Sequence, residues 1–326
     1  VLRVKVKGER GTIIVARHAE MLENDGTLYT ENLRKAEATD TFILSGEGEE
    51  EFRPLFTFHG FRYAELRITG KAEILSVTGE VMYSALGKTG EFTCSDEIVN
   101  QVYQNVVWGQ RGNFLSVPTD CPQRDERLGW TGDAQIFCGT AMFNMDCEKF
   151  YKKYILDLID SSRGDGTIGG VAPHVPHTVY DDEECHMPDC TGWADAMAVI
   201  PYEYYLMYGN KQDLRDHMYF VKNYIKTCEA WSDDCIRPSE PNWGDWLNVD
   251  CFTDKSLLST AYFAFSTRLT IKMCEICSDP EKLYFENLYN RIKTAFRKKF
   301  LMKNGTLTSD PATRRRLTFF RTLRAS

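Results

Sequence analysis

The sequence predicts a mainly α-helical protein fronted by a β-sheet unit, and three observations predict it. Apolar residues alternate with period two over roughly the first ninety positions. From Ser95 onward they recur at helical spacing, and loops rich in Gly, Trp and Asp separate the helical stretches. A chain of 326 residues with 43% hydrophobic content is long enough for two domains. The composition changes near Gly90, which places a sheet domain over 1–92 and a helical domain over 93–326.

In the sheet domain, Leu2, Val4 and Val6 fall opposite Arg3, Lys5 and Lys7, the pattern of a half-buried strand. Phe56 and Phe58 flank Thr57 in the same way and predict a second strand, and 72–78, bounded by Gly70 and Gly79, predicts a third. The first helix follows from one stripe of Ile98, Val99, Val102, Tyr103, Val106 and Val107, with Ser95 as its cap. Phe150, Tyr151, Tyr154, Ile155, Leu158 and Ile159 make a second stripe, and Leu214, Met218, Val221, Ile225 and Cys228 a third. Further helices are predicted over 257–277 and 283–300, for a total of roughly six to eight.

Charge and composition exclude several functions. A net charge of −8 with interspersed acids leaves no basic stripe for a nucleic-acid partner, so a neutral ligand fits better. Apolar runs stay short of about eighteen residues, so no membrane partner is expected. Eleven cysteines, without small-scaffold spacing and without an apolar leader, predict a reducing cytoplasmic setting, although Val1 in place of Met implies residues upstream.

The chemistry is concentrated in 119–133, Thr-Asp-Cys-Pro-Gln-Arg-Asp-Glu-Arg-Leu-Gly-Trp-Thr-Gly-Asp. Asp120, Asp125, Glu126 and Asp133 supply carboxylates, Arg124 and Arg127 guanidiniums, and Trp130 an indole, on a loop punctuated by Pro122, Gly129 and Gly132. Acids of this density are not core residues. Paired carboxylates beside a flat aromatic are what sugar hydrolysis uses: an acid for the leaving oxygen, acceptors for hydroxyls, and an apolar face for the ring.

This motif resembles the signature of the inverting α-L-rhamnosidases, glycoside hydrolase family 78. The resemblance extends through 93–97, Trp108-Gly109-Gln110-Arg111, Val117-Pro118, Gly192-Trp193-Ala194-Asp195-Ala196 and Gly244-Asp245-Trp246-Leu247, in order. Residues 25–34 and His59-Gly60-Phe61-Arg62-Tyr63 resemble the concanavalin-like β-sandwich that precedes that family's catalytic domain. The resemblance covers residues 1 to about 305. It implies an (α/α)6 toroid, incomplete at its C-terminus because the helix count falls short of twelve. An internal echo agrees: Gly129-Trp130-Thr131-Gly132-Asp133-Ala134 is similar to 192–196, each opening an apolar segment.

By the same resemblance Glu126 is the general acid, and Asp120, Arg124, Trp130 and Asp133 bind the rhamnose ring, with its C5 methyl group against the indole. Neighbouring Asp120, Asp125 and Asp133 are expected to keep Glu126 protonated, on condition that Arg124 and Arg127 pair elsewhere. Trp193 and Trp246 are carried over as substrate-binding residues with packing an equal reading, whereas Asp195 and Asp245 read as helix N-caps. The implied reaction is hydrolysis of terminal rhamnose with inversion, in which a second carboxylate about 6.5 to 9.5 Å away activates water.

The family's base is a glutamate late in the barrel, and Glu183 or Glu184 are weak substitutes. Residues 174–190 hold His, Cys and acidic donors, but without tight ligand pairs they read as a solvated lid; Cys274 and Cys277 read as core thiols. No metal or cofactor is therefore expected. Residues 312–326 hold five arginines and no acid, so the toroid is expected to leave apolar faces uncovered and to self-associate. A toroid glycosidase for another terminal sugar and an inactive sugar-binding remnant are the competing readings.

Overall fold

The computed structural model describes residues 1–164, 166–174, 190–240, 242–249 and 252–308. The lid segment at 175–189, with Glu183 and Glu184, and the basic tail at 312–326 lie outside the described residues. The chain divides into two compact units, one of Val1–Gly129 with Phe143–Asp146, the other of Trp130–Met142 with the chain from Cys147 onward.

The first unit is built on two three-stranded antiparallel sheets. One orders β6 (Glu49–Phe52), β1 (Leu2–Gly8) and β8 (Ala72–Gly79); the other orders β5 (Thr39–Ile43), β2 (Ile13–Ala19) and β7 (Tyr63–Thr69). Alternation on β1 turns Leu2, Val4 and Val6 inward, where they meet Ile14 and Ala16 of β2, and Phe42 stacks on Phe52 between the sheets at 4.1 Å. This is a sandwich in which each strand gives one face to the core. A short hairpin of β3 (Met21–Leu22) and β4 (Leu28–Tyr29) leads to a single helical turn at Glu31–Leu33.

Phe56 and Phe58 do not form the predicted strand. Residues 53–62 are an irregular loop with Phe56 fully exposed, because alternation over three residues is too short to distinguish a strand from a loop whose backbone is held by other contacts.

Helix α1 (Glu97–Asn113) and a hairpin of β9 (Phe114–Leu115) and β10 (Val117–Pro118) complete the first unit. The cap of α1 is Asp96, not Ser95: its carboxylate accepts from the N–H groups of Ile98 and Val99 at 2.9 and 3.4 Å. The predicted stripe is present but largely uncovered, with Ile98, Val99 and Val102 exposed and only Val107 buried. The expected boundary at 92/93 falls inside this unit. Ser84 donates its N–H to Phe114, Tyr103 donates to the Gly90 carbonyl, and Asn144 bonds Gln110, so the linker and α1 are tied into one body.

The second unit is helical: α2 (Thr131–Asn144, its last two residues in the first unit), α3 (Glu148–Asp160), α4 (Ala196–Tyr208), α5 (Lys211–Ala230), α6 (Lys255–Cys277) and α7 (Lys282–Phe300). From α3 onward each helix packs on the next described helix, and α4 also packs on α6. The predicted stripes on α3 and α5 are the buried faces, with Tyr151, Tyr154, Ile155 and Leu158 wholly enclosed. Gly209, at φ 71, ends α4 in the left-handed region, and Asn210 caps α5 by accepting from Gln212 and Asp213, which makes a tight helical hairpin. A second hairpin joins α6 to α7 through residues 278–281. Cys274 and Cys277 lie on α6 as free thiols.

Capping by Asp96 predicts that Asp96→Ala lowers stability by about 1 kcal/mol, whereas Ser95→Ala changes it by less than about 0.5 kcal/mol. Urea unfolding of both variants checks this.

Candidate active site

In the first unit, residues 119–129 form no helix or strand, so their backbone groups are satisfied locally. The Asp120 N–H donates to the Leu128 carbonyl and the Leu128 N–H returns to Asp120 Oδ1, both at 3.3 Å, closing the loop at its base. The loop at 53–62 clasps it from outside. Gly60 donates its N–H to the Pro122 carbonyl at 3.0 Å, and a Cβ on Gly60 would stand 2.7 Å from Pro122 Cγ. Arg127 donates to the Phe58 carbonyl at 2.6 Å and lies over the Phe58 ring.

This loop gathers Asp120, Cys121, Arg124, Asp125 and Glu126, and Arg34 joins them from the sandwich. Arg124 directs Nε and Nη2 at Glu126 Oε2, at 2.9 and 2.6 Å. Arg34 reaches Glu126 Oε1 at 2.8 Å and Asp125 at 2.9 Å. Arg34 and Arg127 have φ of 55° and 38°, a left-handed backbone that non-glycine residues hold at a cost and that concentrates at functional sites.

The condition that Arg124 pair away from Glu126 is not met, and the protonation order is corrected. Burial pushes Glu126 upward, but hydrogen bonds with Arg34, Asp120 and Arg124, with the Arg124 charge, outweigh it and hold the carboxyl at about 2. Asp120 is the raised member: burial first, then its hydrogen bond and charge contact with Glu126, take it from 3.8 to about 6. The two carboxyls act as one pair, and the proton they keep resides on Asp120. Cys121 is no nucleophile here, since burial and a hydrogen bond with Asp120 push its thiol up to about 12.

In the second unit the indoles converge at the openings of α2 and α4. Trp130 meets Trp243 edge-on at 5.5 Å, Trp193 meets the same ring at 4.7 Å, and Trp246 lies 6.4 Å from it. Trp243, absent from the sequence prediction, is the hub. Its signal is Asn242-Trp243-Gly244-Asp245-Trp246, two indoles flanking Gly-Asp. Two glycines make room: a Cβ on Gly132 would stand 2.8 Å from Trp193 Nε1, and one on Gly170 would stand 2.7 Å from Trp243. Trp130 and Trp193 are half-buried, while Trp246 and Asp133 are exposed, Asp133 in the first turn of α2.

Asp195 occupies the N-cap position of α4, as expected, but its side chain makes no capping hydrogen bond; Asp245 caps no helix. Asp195 is buried, accepts from Gly192 N–H at 2.9 Å and Ser266 Oγ at 2.5 Å, and burial raises its pKa. Asp245 sits in a loop and accepts from Thr253 Oγ1 at 3.0 Å. A polar cavity of about 510 Å³ opens between Trp231, Asp234, Arg237, Asp254 and Lys299, away from every predicted site residue in its lining.

A β-sandwich followed by helical hairpins whose loops carry indoles and carboxylates is the architecture class to which the six-hairpin glycosidase domains belong. Comparison with known proteins is specific. Residues 87–324 match the family described as the bacterial alpha-L-rhamnosidase 6 hairpin glycosidase domain, and residues 1–83 match the bacterial alpha-L-rhamnosidase concanavalin-like domain. The chain belongs to the bacterial α-L-rhamnosidases, glycoside hydrolase family 78. The match runs past Gly305, which corrects the expected end of the resemblance.

An alpha-L-rhamnosidase of Streptomyces avermitilis is 42% identical over 95% of this chain and 29% of its own length; one of Formosa agariphila is 40% identical over 95% and 34%. The crystal structure of the Streptomyces avermitilis enzyme complexed with L-rhamnose superposes with a TM-score of 0.87 over 94% of this chain and 29% of that one. That of the Dictyoglumus thermophilum enzyme is 37% identical, with a TM-score of 0.84 over 93% of this chain and 34% of that one. The chain thus spans about a third of the length of these relatives.

The close approach at Gly132 predicts that Gly132→Ala displaces Trp193, altering the near-ultraviolet circular dichroism of the indoles and costing about 1 to 3 kcal/mol. An unchanged spectrum and melting curve would refute the contact.

Proposed function

We propose that this chain acts as an α-L-rhamnosidase, releasing terminal α-L-rhamnose from rhamnosides with inversion, and that Glu126 is its general acid. The observation that carries this reading is the Asp120–Glu126 pair, whose oxygens lie within 4.8 Å of each other beside two guanidiniums and hold one proton between them below a pH of about 6. In the free protein Asp120 stores that proton. Rhamnose hydroxyls compete for Arg124, Arg34 and Asp120; as both guanidiniums turn to the sugar, Glu126 loses the contacts that keep it ionised and takes up the Asp120 proton for the glycosidic oxygen. By the family resemblance Trp130, Trp193, Trp246 and Asp133 are sugar-binding residues, the indoles suited to an apolar ring face and the carboxylate to a hydroxyl. The family's water-activating glutamate lies late in the barrel, and this sequence holds no glutamate after Glu286, so the base is left unassigned.

This reading retains a toroid of helical hairpins over 93–326 behind a sandwich over 1–92. Sugar binding without turnover is the second reading, and one observation favours it: Glu126 is ionised between Arg34 and Arg124. The exposed stripe of Ile98, Val99 and Val102 supports self-association.

Turnover of nitrophenyl rhamnoside, with fucoside and glucoside left intact, is the expected result. Glu126→Gln lowers kcat by about 10²- to 10⁴-fold while rhamnose binding measured by calorimetry is little changed. Binding without any turnover by the unaltered chain would establish the second reading instead. Proton NMR of the first product distinguishes the β-anomer of inversion from the α-anomer of retention.

The pH profile has a definite sign. Asp120 holds its proton below about 6 and loses it above, so activity declines as pH rises through that value, and Asp120→Asn removes this limb.

A further inference from the structure

We infer that His18, Asp40 and His59 form a binding site for a divalent transition-metal ion of the zinc class, inside the β-sandwich and apart from the catalytic motif. His18 lies on β2, Asp40 on β5 and His59 in the clasping loop, and their donor atoms all fall within 4.8 Å of one another. Two histidines and a carboxylate are a known protein complement for zinc, with a fourth position left to water.

The hydrogen bonds prepare these atoms for a cation. His18 Nδ1 lies 3.0 Å from the Ala38 carbonyl, which accepts only if that nitrogen carries the hydrogen. The tautomer is thereby set, and Nε2 presents a lone pair, as in the outer hydrogen bonds that orient metal-binding histidines. His18 is 1% exposed, yet Nε2 has no partner, and Asp40 Oδ2 is likewise buried without one. Two buried acceptors without partners, on residues whose ligand atoms gather within 4.8 Å, call for a cation.

The remaining edge of the site is nearly at coordination distance. His59 Nε2 stands 3.2 Å from Asp40 Oδ1, and ligand atoms around tetrahedral zinc are about 3.3 Å apart, from bonds of about 2.0 to 2.1 Å. Phe61 packs edge-on against His18 and shields the site from water.

The position has a consequence for the motif. His59 lies between Phe58, whose carbonyl holds Arg127, and Gly60, whose N–H holds Pro122. An ion shared by His18, Asp40 and His59 therefore pins the clasp to the sandwich. The inference rests on the sandwich alone and is independent of whether the chain turns over a rhamnoside.

The test uses the full chain, stripped with EDTA and titrated with zinc and, separately, with cobalt(II). One ion per chain is expected, with a rise in melting temperature on zinc addition and a cobalt d–d spectrum of imidazole and carboxylate ligation. His18→Asn and His59→Asn weaken zinc binding by at least about 10-fold, while His174→Asn, outside the site, leaves it unchanged. If the variants fail to fold, the unaltered chain decides. No stoichiometric binding, no shift in melting temperature, or a cobalt–thiolate charge-transfer band showing cysteine ligation would each overturn the site.

Discussion

The constraint on which the first unit depends is the crowding of two half-buried carboxylates on one irregular loop. Asp120 and Glu126 bring their oxygens within 4.8 Å of each other, so ionising both without compensation is costly. Arg124 from the same loop and Arg34 from the sandwich supply the compensation, and Asp120 keeps its proton up to a pH of about 6. The backbone accommodates this by placing Arg34 and Arg127 in the left-handed region, a strain held in place by the Gly60–Pro122 and Phe58–Arg127 contacts.

The legible parts of the fold are those where burial is one-sided. Strand β1 and helices α3 and α5 each give one face to a core and one to water, so their periods mark them in the chain. Helix α4 is buried around most of its circumference from Ala196 to Tyr204, so it has no stripe to read; α2 is also apolar on average and lacks an amphipathic face. On α1 the stripe was legible but its burial was not, since periodicity describes a face and not what covers it. Asp96 and Ser95 are adjacent good caps, and only the backbone N–H directions choose between them.

The candidate site was legible as a list and illegible as electrostatics. Asp120, Arg124 and Glu126 do gather, as one compact sequence motif allows. Which carboxyl keeps the proton is set by Arg124 together with Arg34, and no local pattern reveals the approach of Arg34 from far back in the chain. Trp243 was missed for a similar reason, because its importance lies in meeting two rings from the openings of α2 and α4. His18, Asp40 and His59 come from separate strands and a loop, and a search for tight ligand pairs passes over them.

The reach of Arg34 from the sandwich to Glu126 bears on how such enzymes can be recombined. An accessory module held on only by a linker may be exchanged freely, but here the amino-terminal sheets furnish a countercharge to the residue assigned the protonating role. Cutting the chain at 92/93 would divide this one compact unit, part the guanidinium from the carboxyl and let the acidity of Glu126 drift back toward that of an unpaired glutamate.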